Sequence, residues 1–251
     1  MSIVVALKDK DRFWLAADSQ VTVGGTKDTI SHRHSYKIFN NFLSIVGSVG
    51  YLRDINIIST MDSSLIPERN LLTNTVSFNT IVRDVVPNLF EELNNNGRLI
   101  KTEDGLLMAA SEFIIAYQDQ CYQIFQDGTV IEVVDMAAIG SGGYVAENAN
   151  LILKDVADDS MSIIERLIKL VEASFKKDVY VNYPIIITDT IDQVYFIYNE
   201  NGSFGYYDDE DGIIKYEEDE EEVEEDGESE EEDIEQKETD HTGEKETAKG
   251  K

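Results

Sequence analysis

Two short apolar runs separated by a charged turn open the chain. Residues 3–7 are apolar throughout, and a second apolar run covers residues 13–17 after Arg12. The four residues between Leu7 and Arg12 are all charged. Short apolar runs that are bounded by polar turns are typical of buried strands. The pattern therefore predicts an N-terminal hairpin with strands at 3–7 and 12–17.

The apolar spacing farther along the chain predicts an alternation of strands and helices. A second hairpin is expected around Asn40-Asn41, because asparagine tolerates positive φ. Residues 50–95 have helical spacing, and Pro87 is expected to bend or split the second part. The remaining predicted elements are strands at 106–117, 121–126 and 130–134, helices at 142–154 and 160–176 (the second capped by Asp159 or Ser160), and strands at 185–189 and 193–198. This order favours an α+β fold with two stacked antiparallel sheets and helices on both outer faces.

Charge divides the chain into a body and a tail. Residues 208–251 contain 23 of the 50 Asp and Glu residues but only 5 of the 21 Lys and Arg residues. Few aromatic or branched apolar residues follow Tyr216. The apolar surface that this segment could bury is therefore too small to offset the entropy cost of ordering it. We expect one domain at 1–207 and an acidic disordered tail at 208–251. The tail is interpreted as solubilising, with docking or substrate mimicry as the alternative.

Composition also argues against several classes of ligand. The body is acidic and has no basic stripe, so phosphate backbones would be repelled and nucleic acid is not expected. No run of about 18 apolar residues predicts a membrane span, and no signal peptide is recognised. The single cysteine, Cys121, is expected in the core, and a chain without an internal disulfide fits the cytoplasm.

Metal and nucleotide sites are not predicted either. His32 and His34 are the only histidines of the body, and the chain has no paired His or Cys motif of metal-binding spacing. Gly140 and Gly142 resemble half of a dinucleotide fingerprint, but no acidic strand end follows at the required distance. We therefore expect no cofactor and no metal.

The candidate chemistry lies at the start of the chain. Removal of Met1 would leave Ser2 with a hydroxyl and a free amine on one residue. An α-amino group titrates near about 7.7–8.0, much closer to neutrality than a lysine, so it can act as the base for its own hydroxyl. Ser2 is therefore a candidate nucleophile. Alternatively, it is an ordinary second residue that plays no part in chemistry.

Four motifs, in order, resemble those of bacterial HslV and proteasome β-subunits. The first two are the strand after Ser2 and the Ala-Ala-Asp-Ser segment that contains Asp18, at the spacing of that family's nucleophile and first aspartate. The others are Ile-Gly-Ser-Gly-Gly at 139–143 and Lys-Asp-Val-Tyr-Val-Asn at 177–182. The resemblance covers residues 2–200. It implies the four-layer αββα sandwich of N-terminal-nucleophile hydrolases.

The resemblance also implies roles for individual residues. A lysine that pairs with Asp18 is expected, and the context Tyr-Lys-Ile-Phe at 36–39 favours Lys37 over Arg33 or His34, although the count without gaps gives His34. The remaining implied residues are Gly47 as the oxyanion donor, Ser141 and Asp178 as a pair that fixes the terminal amine, and Ile45 in an apolar specificity pocket.

Together with these residues, the resemblance implies a serine/threonine-type endopeptidase in a self-compartmentalising, proteasome-like homo-oligomeric ring. Its substrates would be peptides or proteins, and an ATP-dependent unfoldase is an expected partner. The alternative is a catalytically silent ring subunit with a structural role.

Overall fold

The computed structural model describes residues 2–23, 26–30, 36–67, 76–156, 161–207 and 214–216. The chain divides into two compact units, Met1–Glu217 and Glu218–Lys251. All described residues belong to the first unit. A strand at Ile214–Tyr216 carries this unit past the domain boundary expected at residue 207.

Along the chain, three groups of strands are separated by two groups of helices. In chain order the strands are β1 (Val4–Asp9), β2 (Arg12–Asp18), β3 (Gln20–Val23), β4 (Thr26–Thr29), β5 (Ile38–Asn41), β6 (Ser44–Val49), β7 (Leu99–Lys101), β8 (Leu107–Ala109), β9 (Glu112–Tyr117), β10 (Gln120–Ile124), β11 (Val130–Glu132), β12 (Met136–Ile139), β13 (Ile185–Asp189), β14 (Phe196–Tyr198), β15 (Phe204–Tyr207) and β16 (Ile214–Tyr216). The helices are α1 (Leu52–Ser59), α2 (Phe78–Thr80), α3 (Val86–Asn95), α4 (Gly143–Val156) and α5 (Ile163–Phe175).

Two antiparallel sheets form the centre of the fold. Among the described residues, the larger sheet has seven strands in the order β12-β1-β2-β13-β14-β15-β16, and the smaller has five in the order β11-β10-β9-β6-β5. Val4 pairs with Ala17 on one side and with Ile139 on the other. This register brings the start of β1, the end of β2 and the end of β12 to one end of the sandwich.

Three apolar cores hold four layers together. One core lies between the sheets and contains Phe13, Leu15 and Ile114. A second joins the smaller sheet to α1 and α3, and a third joins the larger sheet to α4 and α5. The alternation of side chains along each strand supplies both faces of each sheet. The predicted αββα sandwich is confirmed, with Cys121 buried in the central core.

Local details differ from the predictions where tertiary contacts compete with propensity. The hairpin turn lies at Phe42 and Leu43, not at Asn40-Asn41, and Phe42 has a φ of 55°. Asn40 accepts a hydrogen bond from the Tyr195 hydroxyl at 2.7 Å, and Asn41 accepts one from the Leu65 N–H at 2.7 Å. Both asparagines therefore belong to β5, where their side chains accept hydrogen bonds from distant parts of the chain.

Helix boundaries also differ from the predictions. The helical stretch before α3 has a π-helical turn at Ile81–Val85, and Pro87 follows in the first turn of α3, consistent with the predicted interruption. Ser162 caps α5 through a capping box with Glu165. Asp159 and Ser160, the expected caps, lie outside the described residues.

Candidate functional site

A buried ion pair lies at the end of the sandwich where β1 begins. The Lys37 ammonium lies 2.7 Å from the Asp18 carboxylate and donates to the Gln20 carbonyl oxygen at 2.6 Å. Asp18 also accepts the backbone N–H of Ile3 at 2.9 Å. Asp18 thus connects the lysine to the peptide bond that follows Ser2. The structure brings together the pair expected from the sequence.

Burial shifts the titration of both partners. It lowers the pKa of Lys37 below its ordinary value, and the Asp18 and Asp178 carboxylates only partly oppose this. It raises the pKa of Asp18, against the opposing effects of Lys37 and of the Ile3 and Gln20 N–H groups. An ammonium that is held in this way gives up a proton more easily than a surface lysine.

Ser2 is held by the glycine turn that follows β12. Gly140 has a φ of 88°, and a Cβ at this position would overlap the Ser2 carbonyl. The N–H of Gly142 lies 3.4 Å from the same carbonyl oxygen. Only glycine combines this backbone conformation with so close an approach. The two glycines therefore fix the backbone of Ser2, which is 6% exposed.

Ser141, between those glycines, hydrogen-bonds to Asp178. The Ser141 hydroxyl donates to one Asp178 oxygen, and the other accepts the Tyr180 N–H at 2.9 Å. The Asp178 carboxylate also acts on the pKa of Lys37. Ser141 therefore belongs to the turn that contacts the Ser2 backbone, and its partner Asp178 is close enough to Lys37 to affect the pKa of that lysine.

A cleft of about 350 Å³ borders Ser2 and Lys37. Its floor contains Ser2 and Lys37, and Gly50 and Tyr51 form one wall. The other lining residues are Gln20, Val21, Thr22, Leu52 and Ile55. The cleft thus combines a hydroxyl and a cation with an apolar wall, a composition suited to an extended chain with an apolar side chain.

Two predicted positions lie outside the cleft. Ile45 is fully buried in the core between the sheets. Gly47 lies within β6, paired with Ile38 and Ile114, and a Cβ there would lie 2.6 Å from a Val4 methyl group. Both side-chain positions face the opposite sheet, and neither residue lines the cleft.

Gly50, like the other lining residues apart from Ser2 and Lys37, was not among the predicted site residues. It follows β6 with a φ of 132° and precedes Tyr51, which is the N-cap residue of α1. The available signal was a second glycine three residues after Gly47, directly before a helical pattern. Arg33 and His34, the alternatives to Lys37, lie outside the described residues.

The fold of this chain is similar to the folds of several solved structures. The chain is similar to BPH from Thiobacillus denitrificans, with a TM-score of 0.59 and 18% identity over 74% of this chain and 96% of that chain. It is also similar to HslV from Trypanosoma brucei, with a TM-score of 0.52 and 23% identity over 74% and 98% of the two chains. For Anbu, the ancestral β-subunit, from Yersinia bercovieri, the TM-score is 0.55 at 14% identity over 80% and 88%.

The chain has the proteasome-like N-terminal-nucleophile hydrolase fold. No protein-family model and no curated protein sequence matches it. At these identities the likeness establishes the fold alone. Within the described part of the chain, no cluster of His, Cys, Asp and Glu suits a metal ion, and no helix has the length and apolarity to cross a membrane.

Proposed function

We propose that this protein is an N-terminal-nucleophile endopeptidase. The observation that carries the proposal is the position of Ser2, which shares a cleft with Lys37 while Asp18 links that lysine to the peptide after Ser2. A fold alone does not require a buried lysine beside its first strand, and a buried ion pair is costly to maintain. The arrangement is explained if the pair serves chemistry at Ser2.

In the proposed mechanism, the free amine of Ser2 accepts the proton of its own hydroxyl. The oxygen then attacks the carbonyl carbon of a peptide bond, and an acyl-enzyme forms as the amine of the leaving segment takes up the proton. Lys37 favours the neutral form of the terminal amine, because a nearby like charge lowers the pKa of that amine. Water hydrolyses the acyl-enzyme in the second half of the reaction. Ser141 and Asp178 hold the amine in place.

The backbone N–H of Gly50, in place of Gly47, is the proposed donor to the oxyanion. Gly50 lines the cleft together with Ser2, whereas Gly47 is enclosed between the sheets. A single donor of this kind contributes about 3–4 kcal/mol to transition-state stabilisation in comparable sites.

The apolar wall of the cleft indicates the preferred substrate. Val21, Leu52 and Ile55 line the cleft beside Ser2. Burial of an apolar side chain against them contributes about 1.5–3 kcal/mol. We therefore propose that the enzyme prefers an apolar residue before the scissile bond. The role first assigned to Ile45 falls to these three residues.

Removal of Met1 is the first test of the proposal. A retained methionine blocks the amine that must act as the base, so we expect the purified protein to lack Met1. Intact-mass analysis of protein from the native host measures this directly, and the processed protein should hydrolyse a fluorogenic peptide with an apolar residue before the cleaved bond. A fully retained Met1 would contradict the mechanism.

Assembly into a ring is the second prediction. We propose a closed homo-oligomeric ring of six or seven subunits, single or stacked in pairs, that confines the nucleophile, with an ATP-dependent unfoldase as the partner that delivers protein substrates. Native mass spectrometry should detect it at micromolar concentration. Deletion of 218–251 should preserve the ring, because it leaves the pairing of β15 with β16 intact. A strictly monomeric protein would count against self-compartmentalisation.

A further inference from the structure

The turn between β6 and α1 carries the Gly50 N–H and forms one wall of the cleft. Its backbone is constrained, since Gly50 has a φ of 132° and a Cβ there would lie 2.7 Å from the Ser111 Cα. Gly50 therefore packs directly against the start of β9. Any shift of this contact moves the Gly50 N–H relative to Ser2.

Hydrogen bonds tie this turn to a buried carboxylate. The Tyr51 N–H donates to the Ser111 hydroxyl oxygen at 3.1 Å, and the Ser111 hydroxyl donates to Asp54 at 2.6 Å. The second Asp54 oxygen accepts the Nε–H of Arg98. The Asp54 N–H donates to the Tyr51 carbonyl at 2.9 Å and closes the loop. Both backbone polar groups of Tyr51, its N–H and its carbonyl, are thus hydrogen-bonded.

Arg98 contacts both Asp54 and the side chain of Tyr51. Its guanidinium pairs with Asp54, whose side chain is fully buried, and lies over the Tyr51 ring, 5.0 Å from the ring centroid. The pair neutralises a carboxylate that burial would otherwise strongly disfavour. Stacking on the ring restrains the residue next to Gly50. One side chain, remote in sequence, therefore acts on the carboxylate and on the cleft wall.

We infer that Arg98, Asp54 and Ser111 position the Gly50–Tyr51 turn for the reaction at Ser2. The inference rests on the proposed function for its catalytic half, because the turn carries the proposed oxyanion donor. None of the three residues lines the cleft, so they are positioning residues. Their removal should weaken transition-state stabilisation more than substrate binding.

Ser111→Ala tests this inference, with Ser44→Ala as the matched control. Ser44 is also fully buried, donates one hydrogen bond to the Asn41 carbonyl oxygen and lies at the opposite end of β6. We expect Ser111→Ala to lower kcat by about 10- to 100-fold, less than the ~10²–10³ loss of a deleted oxyanion donor. KM should stay within about twofold, since ground-state contacts remain. Ser44→Ala should change neither constant.

Arg98 supplies the second variant. Arg98→Met removes the charge from the Asp54 pair and should reduce kcat at least as much as Ser111→Ala. Arg98→Lys retains the cation but loses the planar guanidinium, so it should recover part of the rate. Recovery by lysine separates positioning through Asp54 from general loss of stability, which thermal unfolding of each variant measures.

Hydrogen exchange gives a readout that does not depend on activity. Backbone amides at 49–55 should exchange faster in Ser111→Ala and Arg98→Met, while those of β13 stay unchanged. Unchanged exchange at 49–55, or an equal fall in kcat for Ser44→Ala, would overturn the inference. An inactive wild type would overturn the proposed function instead, and exchange at 49–55 would still decide whether the three residues hold the turn.

Discussion

Replacement of Lys37 by methionine is expected to reduce peptide hydrolysis by about 10²–10⁴-fold, the usual contribution of a group that supports proton transfer. Lys37 is 2% exposed and lies against Asp18 and the Gln20 carbonyl, so no other described cation occupies its place. Without it, the terminal amine loses the like charge that lowers its pKa. Steady-state hydrolysis of a fluorogenic peptide measures the effect.

The same substitution also affects folding, and a double variant separates the two effects. Lys37→Met leaves Asp18 as an unpaired buried carboxylate, which costs about 3–5 kcal/mol of stability. Combining it with Asp18→Asn removes that charge while keeping similar side-chain volumes. We expect the double variant to recover stability in denaturant unfolding but not activity. Recovered hydrolysis would make Lys37 a structural residue.

His34→Ala is the control that tests the choice of Lys37 over His34, the residue that the count without gaps gives. It should retain most of the activity, because Lys37 is the residue that pairs with Asp18. Loss of hydrolysis in the His34 variant alone, with Lys37→Met still active, would transfer the role to His34.

Covalent labelling at Ser2 is the second prediction with a large effect. A peptide epoxyketone closes a ring with a hydroxyl and an amine of the same residue, and processed Ser2 presents both. We expect one adduct per subunit by intact mass. Ser2→Ala should lose the adduct completely, because the hydroxyl is gone. Lys37→Met should slow its formation, because the site no longer depresses the pKa of the amine.

Ser2→Thr is the matched control, since it retains the hydroxyl and the amine. Its extra methyl group restricts χ1 to fewer rotamers, so labelling should persist at a rate at least equal to that of the wild type. A catalytically silent ring subunit lacks an activated hydroxyl and would not be labelled. Absence of an adduct from an assembled protein that lacks Met1 would favour that structural role.

Sequence patterns predicted the regular elements well where burial alone decides them. The apolar runs of β1, β2 and β13 are continuous because each strand packs between a helix layer and the opposite sheet. The strands β3, β4, β7, β12, β15 and β16 lie outside the predicted strand ranges; among them, β4 is exposed and β7 contains two exposed residues. The sequences of β4 and β7 therefore have no apolar periodicity that could have revealed them.

Sequence spacing does not distinguish Gly47 from Gly50 as the glycine that lines the cleft. Gly47 and Gly50 lie three residues apart, and both follow apolar strand residues. Only the register of β6 distinguishes them, because it encloses Gly47 between the sheets and ends before Gly50. A strand register depends on its partners, here β5 and β9, and β9 lies more than sixty residues away in sequence.

The sequence by itself determined the layered α+β architecture and the glycine turn at 140–142, and the family resemblance of its motifs implied a lysine partner for Asp18, for which the local context favoured Lys37. These depend on apolar periodicity and on motifs whose residues are adjacent along the chain. The tertiary structure decided which glycine and which apolar residues line the cleft, and it joined Arg98 and Ser111 to the Gly50 turn. Such contacts join elements distant in sequence, and their geometry is set by the packing of the whole sandwich.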